Sequence, residues 1–231
     1  MNKDEIIKKI KSKGYWEINI RPDVYNSQRL ERQKIKDIVR SAVVELGGWD
    51  YPHFRDSEGE PYPILYGIEK IIDWSNHIEF WRMTKSANFY HLLALREDWM
   101  EDVEYRLKGK KWLGVLRTLY TLTEIFEFAK RLATQNIFDD NMIIDIKLYD
   151  LKNRQLVVDS YNRVPFMFPR IAKITEPWNY HTQSFSVNDV QNKPDQLALD
   201  AFLDLIYLFE WENPPIETFK NDIQKFLQGR I

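Results

Sequence analysis

The residues best suited to acid–base chemistry lie together in one short stretch of the sequence. Residues 47–56 read Gly-Gly-Trp-Asp-Tyr-Pro-His-Phe-Arg-Asp, a composition typical of a loop that follows a helix. Here His53 could take up a proton while the Asp50 carboxylate fixes the tautomer of its ring. No nucleophile stands beside this pair, so no catalytic triad is predicted. The alternative is structural, with Trp49 and Phe54 filling the core and Asp50 shaping a turn before the proline.

Carboxylates further along the chain indicate a second kind of chemistry. Asp73, Glu79 and Glu97, together with Asp50 and His53, are the candidates for a metal-dependent nuclease or hydrolase that uses Mg²⁺ or Mn²⁺. This chemistry requires at least two carboxylates at one metal ion, and the spacing of these residues matches no nuclease signature. The alternative is that they are surface charges beside buried aromatic residues. Asp50, His53, Asp73 and Glu79 are therefore the catalytic candidates that these two kinds of chemistry provide.

The register of a predicted hairpin decides which of these side chains can meet. If Met83 pairs with Asn88, Phe80 lies opposite His91 in the neighbouring strand. Side chains alternate between the two faces of a strand. This register therefore predicts that Glu79 lies on one face of the sheet and His91 on the other.

Cofactor chemistry is restricted by what the sequence lacks. It has no cysteine, which excludes disulfides, thiolate metal sites and cysteine nucleophiles. The histidines are scattered and form no H-E-x-x-H motif, so no metal site is predicted; they are His53, His77, His91 and His181. No glycine-rich phosphate loop is present. We therefore expect no cofactor, except Mg²⁺ or Mn²⁺ under the alternative hypothesis.

Basic residues near the N-terminus suggest contact with an anionic partner. Residues 1–40 carry more Lys and Arg than Asp and Glu, whereas the whole chain has a formal net charge of −2. A helix is predicted from Ser27 to Leu46, and basic side chains fall along one face of it. This face could bind nucleic-acid phosphates or an acidic protein. The basic side chains on this face are Arg29, Arg32, Lys36 and Arg40. The alternative is an ordinary solvated helix face.

Aromatic residues are abundant, with 8 Trp, 12 Tyr and 13 Phe making up 14% of the chain. Protein interfaces are enriched in such residues, so we expect some of them to be exposed at a binding surface. The binding candidates in the loop are Trp49, Tyr51, His53 and Arg55. Four further tryptophans lie at predicted element boundaries, where they either meet a partner or join two parts of the chain: Trp99, Trp112, Trp178 and Trp211.

The elements that must position these groups indicate an α+β protein. The pattern predicts a helix, antiparallel strands, a long buried helix over 112–135, more strands and a C-terminal helix pair. In the second half, 142–149 and 155–160 are predicted to form a hairpin. A charged stretch divides the chain into lobes at 1–107 and 108–231, two αβ lobes with antiparallel sheets packed by long helices. One continuous domain is the alternative.

These patterns favour a non-enzymatic binding or accessory protein. The lysine-rich N-terminus is unlike a signal peptide, and no run of about 18 apolar residues is present, so we expect a cytoplasmic protein without a membrane segment. Its expected partner is a protein, a second copy of the chain or a nucleic acid, bound through the 49–56 loop and the basic helix at 29–40. The alternative is the metal-dependent nuclease or hydrolase of the 50–98 region.

Overall fold

The computed structural model describes residues 2–57, 59–101, 107–180 and 184–230. The fold is α+β, as predicted, with 34% of the residues in helices and 27% in strands. The helices are α1 (Lys3–Ile10), α2 (Ile35–Ala42), α3 (Val115–Ala133), α4 (Val187–Asn192), α5 (Pro194–Tyr207) and α6 (Ile216–Leu227). The strands are β1 (Tyr15–Pro22), β2 (Val44–Glu45), β3 (Asp50–Tyr51), β4 (Tyr62–Ile64), β5 (Gly67–Asp73), β6 (Ile78–Thr84), β7 (Phe89–Ala94), β8 (Trp112–Gly114), β9 (Asn141–Leu148), β10 (Gln155–Val157), β11 (Arg170–Ile171), β12 (Trp178–Tyr180) and β13 (Ser184–Ser186).

Eight of the strands form one antiparallel sheet in the order β12-β9-β1-β7-β6-β5-β4, with β13 also paired to β9. Strand β1 lies inside the sheet, and its apolar residues Trp16, Ile18 and Ile20 are buried, as their alternation predicts. Because β1 pairs with β7 on one side and with β9 on the other, this sheet takes strands from both predicted lobes. The boundary at 107/108 therefore does not separate two sheets, and the division into lobes stays a prediction.

Helices cover both faces of this sheet. On β6, Phe80 packs in a small core with Ile6 and Ile10 of α1, whereas Trp81 belongs to the main core that contains α3. The long helix α3 is buried over much of its circumference, as its sequence predicts. The predicted C-terminal helix pair is also present and packs through Phe202 of α5 and Phe219 of α6, whose ring centroids are 5.0 Å apart. No helix in the described ranges is long and apolar enough to span a membrane.

The helix predicted from Ser27 to Leu46 is shorter in the structure. A 3-10 turn at Arg32–Lys34 leads into α2, which ends at Ala42. Before this turn the chain is not helical, and the Leu30 N–H donates to the Lys85 carbonyl at 2.8 Å, which joins this segment to the β6–β7 loop. After Ala42 the backbone becomes extended and enters β2.

The predicted register of the hairpin between β6 and β7 is wrong by one residue. Met83 pairs with Phe89, and Trp81 pairs with His91. The loop has three residues, 85–87, and Ala87 adopts a positive φ of 59°, a typical geometry for a three-residue hairpin loop. A shift of one residue moves a side chain to the other face of its strand. His91 therefore lies on the same face as Glu79.

The predicted hairpin between 142–149 and 155–160 is also wrong. Strand β10 leaves β9 and pairs instead with β8, in parallel, and with β11. The buried Arg154 precedes β10 and joins it to this second sheet. Its guanidinium donates to both carboxylate oxygens of Asp98, at 2.8 and 2.7 Å, and to the Trp112 carbonyl at 2.8 Å. These bonds hold the start of β10 beside β8.

Replacing Arg154 with Met should destabilise the protein by about 3–5 kcal/mol, because the Asp98 carboxylate would lose its buried partner. The measurement is the free energy of unfolding in urea. Lys173→Met is the control, since Lys173 and Glu210 form an exposed ion pair, and this change should leave the unfolding midpoint unaltered. Equal midpoint shifts for the two variants would show that the buried pair has no special role.

Candidate functional site

A cavity of about 350 Å³ lies between the sheet and α3. Its wall combines the loop after α2 at 47–51, the end of β7 with the turn that follows it at 93–97, and the N-terminal half of α3 at 116–124. Asp159, which follows β10, and Phe226 of α6 also line the cavity. Ionisable side chains from several separate segments therefore meet at one place.

The Glu79 carboxylate is buried next to this cavity and is held by three histidines. Its Oε1 atom accepts the backbone N–H of His53 at 2.8 Å, and its Oε2 atom lies 2.9 Å from His91 Nε2 and 3.6 Å from His77 Nε2. Burial acts to raise the pKa of Glu79, but the imidazoles of His77 and His91 outweigh it and hold that pKa well below its usual range. Glu79 is therefore ionised at neutral pH.

The charge on Glu79 determines the hydrogen bonding of His91. An ionised carboxylate only accepts, so His91 Nε2 must donate to it. His91 Nδ1 lies 3.2 Å from the Tyr51 hydroxyl, and burial raises the pKa of Tyr51 well above its usual value, so the hydroxyl keeps its proton. A continuous polar chain thus runs from Tyr51 through His91 to Glu79.

The backbone of His53 attaches the 49–56 loop to the sheet. Its N–H donates to Glu79, and its carbonyl accepts the indole N–H of Trp81 at 2.9 Å. Both bonding groups belong to the main chain, and His53 Nδ1 has no hydrogen-bond partner among the described residues. His53 therefore fixes the loop and leaves its ring free to pack.

Four rings from two loops form what we call the ring cluster: Trp49, His53, Trp74 and His77. The rings of His53 and Trp74 meet edge to face at 4.6 Å, and those of Trp49 and Trp74 lie 5.2 Å apart. Trp49 and His77 also line the cavity, and Trp49 is 48% exposed. The ring cluster therefore forms part of the cavity rim.

A second carboxyl group at the cavity behaves in the opposite way to Glu79. Burial, reinforced by the negative charge of Glu79, raises the pKa of Glu124 to about 8, even though the Gly47 N–H acts against this. Burial likewise raises the pKa of Glu97, which accepts the Gly114 N–H at 3.1 Å. The pKa of Glu79 is thus lowered and that of Glu124 raised. Interacting carboxyl groups with pKa values displaced in opposite directions are typical of sites that bind or transfer protons.

Asp159 fixes the first turn of α3 against the cavity. Its two carboxylate oxygens accept the N–H groups of Leu116 at 2.7 Å and Arg117 at 3.0 Å, as an N-cap side chain would. The helix begins after Gly114, and a Cβ atom there would lie 2.3 Å from the Asp159 carboxylate. The absence of a side chain on Gly114 therefore allows a residue distant in sequence to cap the helix.

No protein-family model, curated protein or solved structure matches this chain. The site must therefore be interpreted from its own geometry.

The predicted acid/base pair of Asp50 and His53 is not formed. Asp50 lies in β3 and lines the cavity, but no hydrogen bond joins it to His53 in the described part of the chain. The histidine that contacts a carboxylate is His91, which the predicted register placed on the wrong face. Tyr51 and Phe54 are buried, so most rings of the loop belong to the core.

The carboxylates of the metal hypothesis do not converge. Asp73 lies on the α1 face of the sheet and pairs with Lys9 at 2.5 Å, whereas Glu79 lies on the α3 face. Within the described ranges, no group of three or more His, Asp or Glu residues could hold a metal ion. His181 lies outside the described residues. Glu97 lines the cavity, but its partner is a backbone N–H group.

The predicted basic face is not continuous. Arg29 precedes α2 and forms a two-pronged ion pair with Asp139, at 3.0 and 2.7 Å, while Arg32 donates to the Ile64 carbonyl. Lys36 and Arg40 both pair with Glu60. Three of the four cations are therefore paired with carboxylates, whereas Arg32 is exposed and has no carboxylate partner among the described residues. Arg55 is exposed and does not line the cavity.

The boundary tryptophans are less exposed than expected. Trp112 and Trp178 are buried, and Trp99 and Trp211 are partly buried. The groups that sequence reasoning missed are Glu124, Arg117, Thr118 and Asp159. A signal for the first existed, because Glu124 interrupts a helix that is otherwise apolar around much of its circumference.

The raised pKa of Glu124 should make stability depend on pH. The folded state keeps a proton that the unfolded state loses above its carboxyl pKa of 4.5, so this group's contribution falls as the pH rises toward about 8. Glutamine does not ionise, so the Glu124→Gln variant does not lose this stability as the pH rises. Relative to the unsubstituted protein, this variant should gain up to about 1.4 kcal/mol per pH unit in this window.

Urea unfolding at pH 5, 6, 7 and 8 tests this expectation. Glu45→Gln is the control, because Glu45 is exposed in β2 and should follow the unsubstituted protein. If the stability of Glu124→Gln runs parallel to that of the unsubstituted protein over this range, Glu124 does not hold a proton in the folded state.

Proposed function

We propose that the protein binds a small polar molecule in the cavity beside α3. The observation that carries this proposal is the cavity of about 350 Å³ itself, which is lined by Glu124 and Glu97, whose pKa values are raised, and by His77, which lies 3.6 Å from the buried Glu79 carboxylate. Cavities of this size and character are typical of small-molecule sites. A chain that needs only stability has no reason to gather such groups, because each is unfavourable to bury.

The cavity also offers polar atoms that lack partners. Thr118 Oγ1 and His77 Nε2 are buried without a hydrogen bond among the described residues, although His77 lies 3.6 Å from Glu79. An unpaired buried polar group costs about 1–3 kcal/mol. A bound molecule could satisfy both groups, and the half-exposed indole of Trp49 offers a flat apolar surface beside them.

A macromolecular partner stays a prediction from the sequence. The side chains expected to contact it are largely engaged within the chain, since Tyr51 and His53 are buried and Arg29 and Arg40 are paired. Of the loop residues, Trp49 and Arg55 remain exposed. This distribution favours a small molecule inside the cavity over a protein or a nucleic acid on the loop.

Filling the cavity should abolish binding. Thr121 lies in the middle of the lining segment of α3, and Thr121→Trp would place an indole in the cavity. Compounds that stabilise the unsubstituted protein in a thermal-shift screen of small polar molecules should not stabilise this variant. Gln135→Trp, at an exposed position after α3, is the control and should bind normally. Hits that bind all three proteins equally would place the ligand elsewhere.

Acid–base catalysis on the bound molecule is the second candidate function. It is favoured by Glu79 and Glu124, whose displaced pKa values keep one glutamate ionised and the other protonated near pH 7. Glu124 could donate a proton, and His77, whose Nε2 atom lies 3.6 Å from Glu79, could accept one. The pairing of a proton donor with a proton acceptor at one cavity is what this chemistry requires.

If the protein is an enzyme, Glu124→Gln should lower turnover by about 10²- to 10⁴-fold. Binding should persist, because Gln keeps the size of the side chain. Each compound from the screen is incubated with the protein, and its conversion is followed by NMR. Turnover should be unchanged in Glu45→Gln. If compounds bind tightly but the unsubstituted protein does not convert them, the catalytic function is wrong and only the binding function remains.

A further inference from the structure

We infer that the cavity recognises an anionic group of its ligand, a carboxylate or a phosphate, through Arg96, Arg117 and Thr118. This inference rests on the proposed function, because it names the chemical class of the molecule that the cavity binds. All three residues line the cavity, two of them in the first turns of α3 and the third in the turn after β7.

The guanidinium groups of Arg96 and Arg117 have N–H donors that no carboxylate accepts among the described residues. Arg117 donates to the Met100 sulfur at 3.3 Å and lies over the Trp112 ring at 5.9 Å, but it makes no ion pair within the described part of the chain. Arg96 makes neither an ion pair nor a hydrogen bond through its side chain there. By contrast, Arg29 and Arg154 each donate two guanidinium N–H groups to one carboxylate. The guanidinium N–H groups of Arg96 and Arg117 that lack a partner at the cavity are suited to bind an anion.

The arginines also lie close enough to repel each other. Burial and then the charge of Arg117 lower the pKa of Arg96, while Glu97 acts in the opposite direction. An anion bound beside both arginines, which line the same cavity, would reduce the repulsion between them.

The nearest carboxylates are committed elsewhere. Both oxygens of Asp159 accept backbone N–H groups of α3, and Glu97 accepts the Gly114 N–H. Neither forms a salt bridge with Arg96 or Arg117 in the described ranges. The Asp159 carboxylate makes the cavity unsuitable for a polyanion. A single anionic group on a small molecule fits these conditions.

Thr118 adds an independent polar group. Its hydroxyl is only 2% exposed and has no hydrogen-bond partner among the described residues. Thr123 in the same helix is also buried, but its hydroxyl donates to the Leu119 carbonyl at 2.8 Å. Thr118 makes no such bond, and its hydroxyl is left for a molecule in the cavity, next along the chain to Arg117.

The remaining wall defines the rest of the ligand. It contains Leu93 and Leu95, and the ring of Tyr120 stacks on Phe226 with centroids 4.2 Å apart. Apolar and aromatic surface beside an anion site suits an organic acid or a phosphate ester with a flat or apolar body. Inorganic phosphate alone would use only the polar end.

Isothermal titration calorimetry with four probes tests the inference: benzoate, phenyl phosphate, inorganic phosphate and the neutral benzamide. We expect benzoate or phenyl phosphate to bind at least about tenfold more tightly than benzamide. Stronger binding of phenyl phosphate identifies a phosphate ester as the ligand class, and stronger binding of benzoate identifies an organic acid.

Substitutions assign the binding to these residues. Arg117→Gln and Arg96→Gln should each weaken binding of the anionic probe at least about tenfold, and Thr118→Val should weaken it severalfold. Arg117→Lys keeps the charge and should be affected less than Arg117→Gln, which separates lost recognition from lost folding. Arg230→Gln is the matched control, since Arg230 is exposed outside the cavity, and it should bind as the unsubstituted protein does.

Three outcomes would overturn the inference or its basis. Benzamide binding as well as the anions would refute the anionic ligand while leaving a small-molecule site in place. Anion binding that survives both arginine substitutions would refute the assigned residues. If neither these probes nor any compound of the thermal-shift screen binds the cavity, the proposed function itself is wrong.

Discussion

The buried carboxylate of Glu79 is the interaction on which the arrangement of this region depends. A charge removed from water is tolerated only when hydrogen bonds and opposite charges surround it. The groups around Glu79 come from three places: His91 on the adjacent strand, His77 at the start of β6, and the backbone N–H of His53 in the 49–56 loop. The loop is therefore positioned by the charge, and the cavity that it borders has its shape for the same reason.

The same charge influences the other side of the cavity. Glu124 lies on α3, and the negative charge of Glu79 adds to burial in keeping it protonated. The helix is held in place independently, by the Asp159 carboxylate at its first turn and by the fit that Gly114 permits. The helix thus presents a protonated carboxyl group to the cavity, while the ionised Glu79 lies buried in the sheet behind His77, and neither element alone would produce that arrangement.

Local patterns predicted much of the fold and little of the site, for a physical reason. The alternation in β1 and the apolar stripes of α3 and α6 are short-range consequences of burial, so a sequence displays them directly. The contact of Glu79 with His91 depends on a one-residue detail of a hairpin loop, where Ala87 adopts a positive φ. The cap of α3 depends on a residue more than 40 positions away. Contacts of these two kinds leave no periodicity to detect.

The distribution of paired and unpaired cations shows where this chain retains capacity to bind. Outside the cavity, positive groups that looked available in the sequence are satisfied within the fold: Arg29 by Asp139, and Lys36 by Glu60. Inside it, Arg96 and Arg117 lie near each other without a carboxylate partner in the described ranges, next to a threonine hydroxyl that also lacks one. Of these groups only the Thr118 hydroxyl is buried, whereas Arg96 is exposed, so the molecule that we propose would replace solvent at the arginines and supply the partner that the buried hydroxyl lacks.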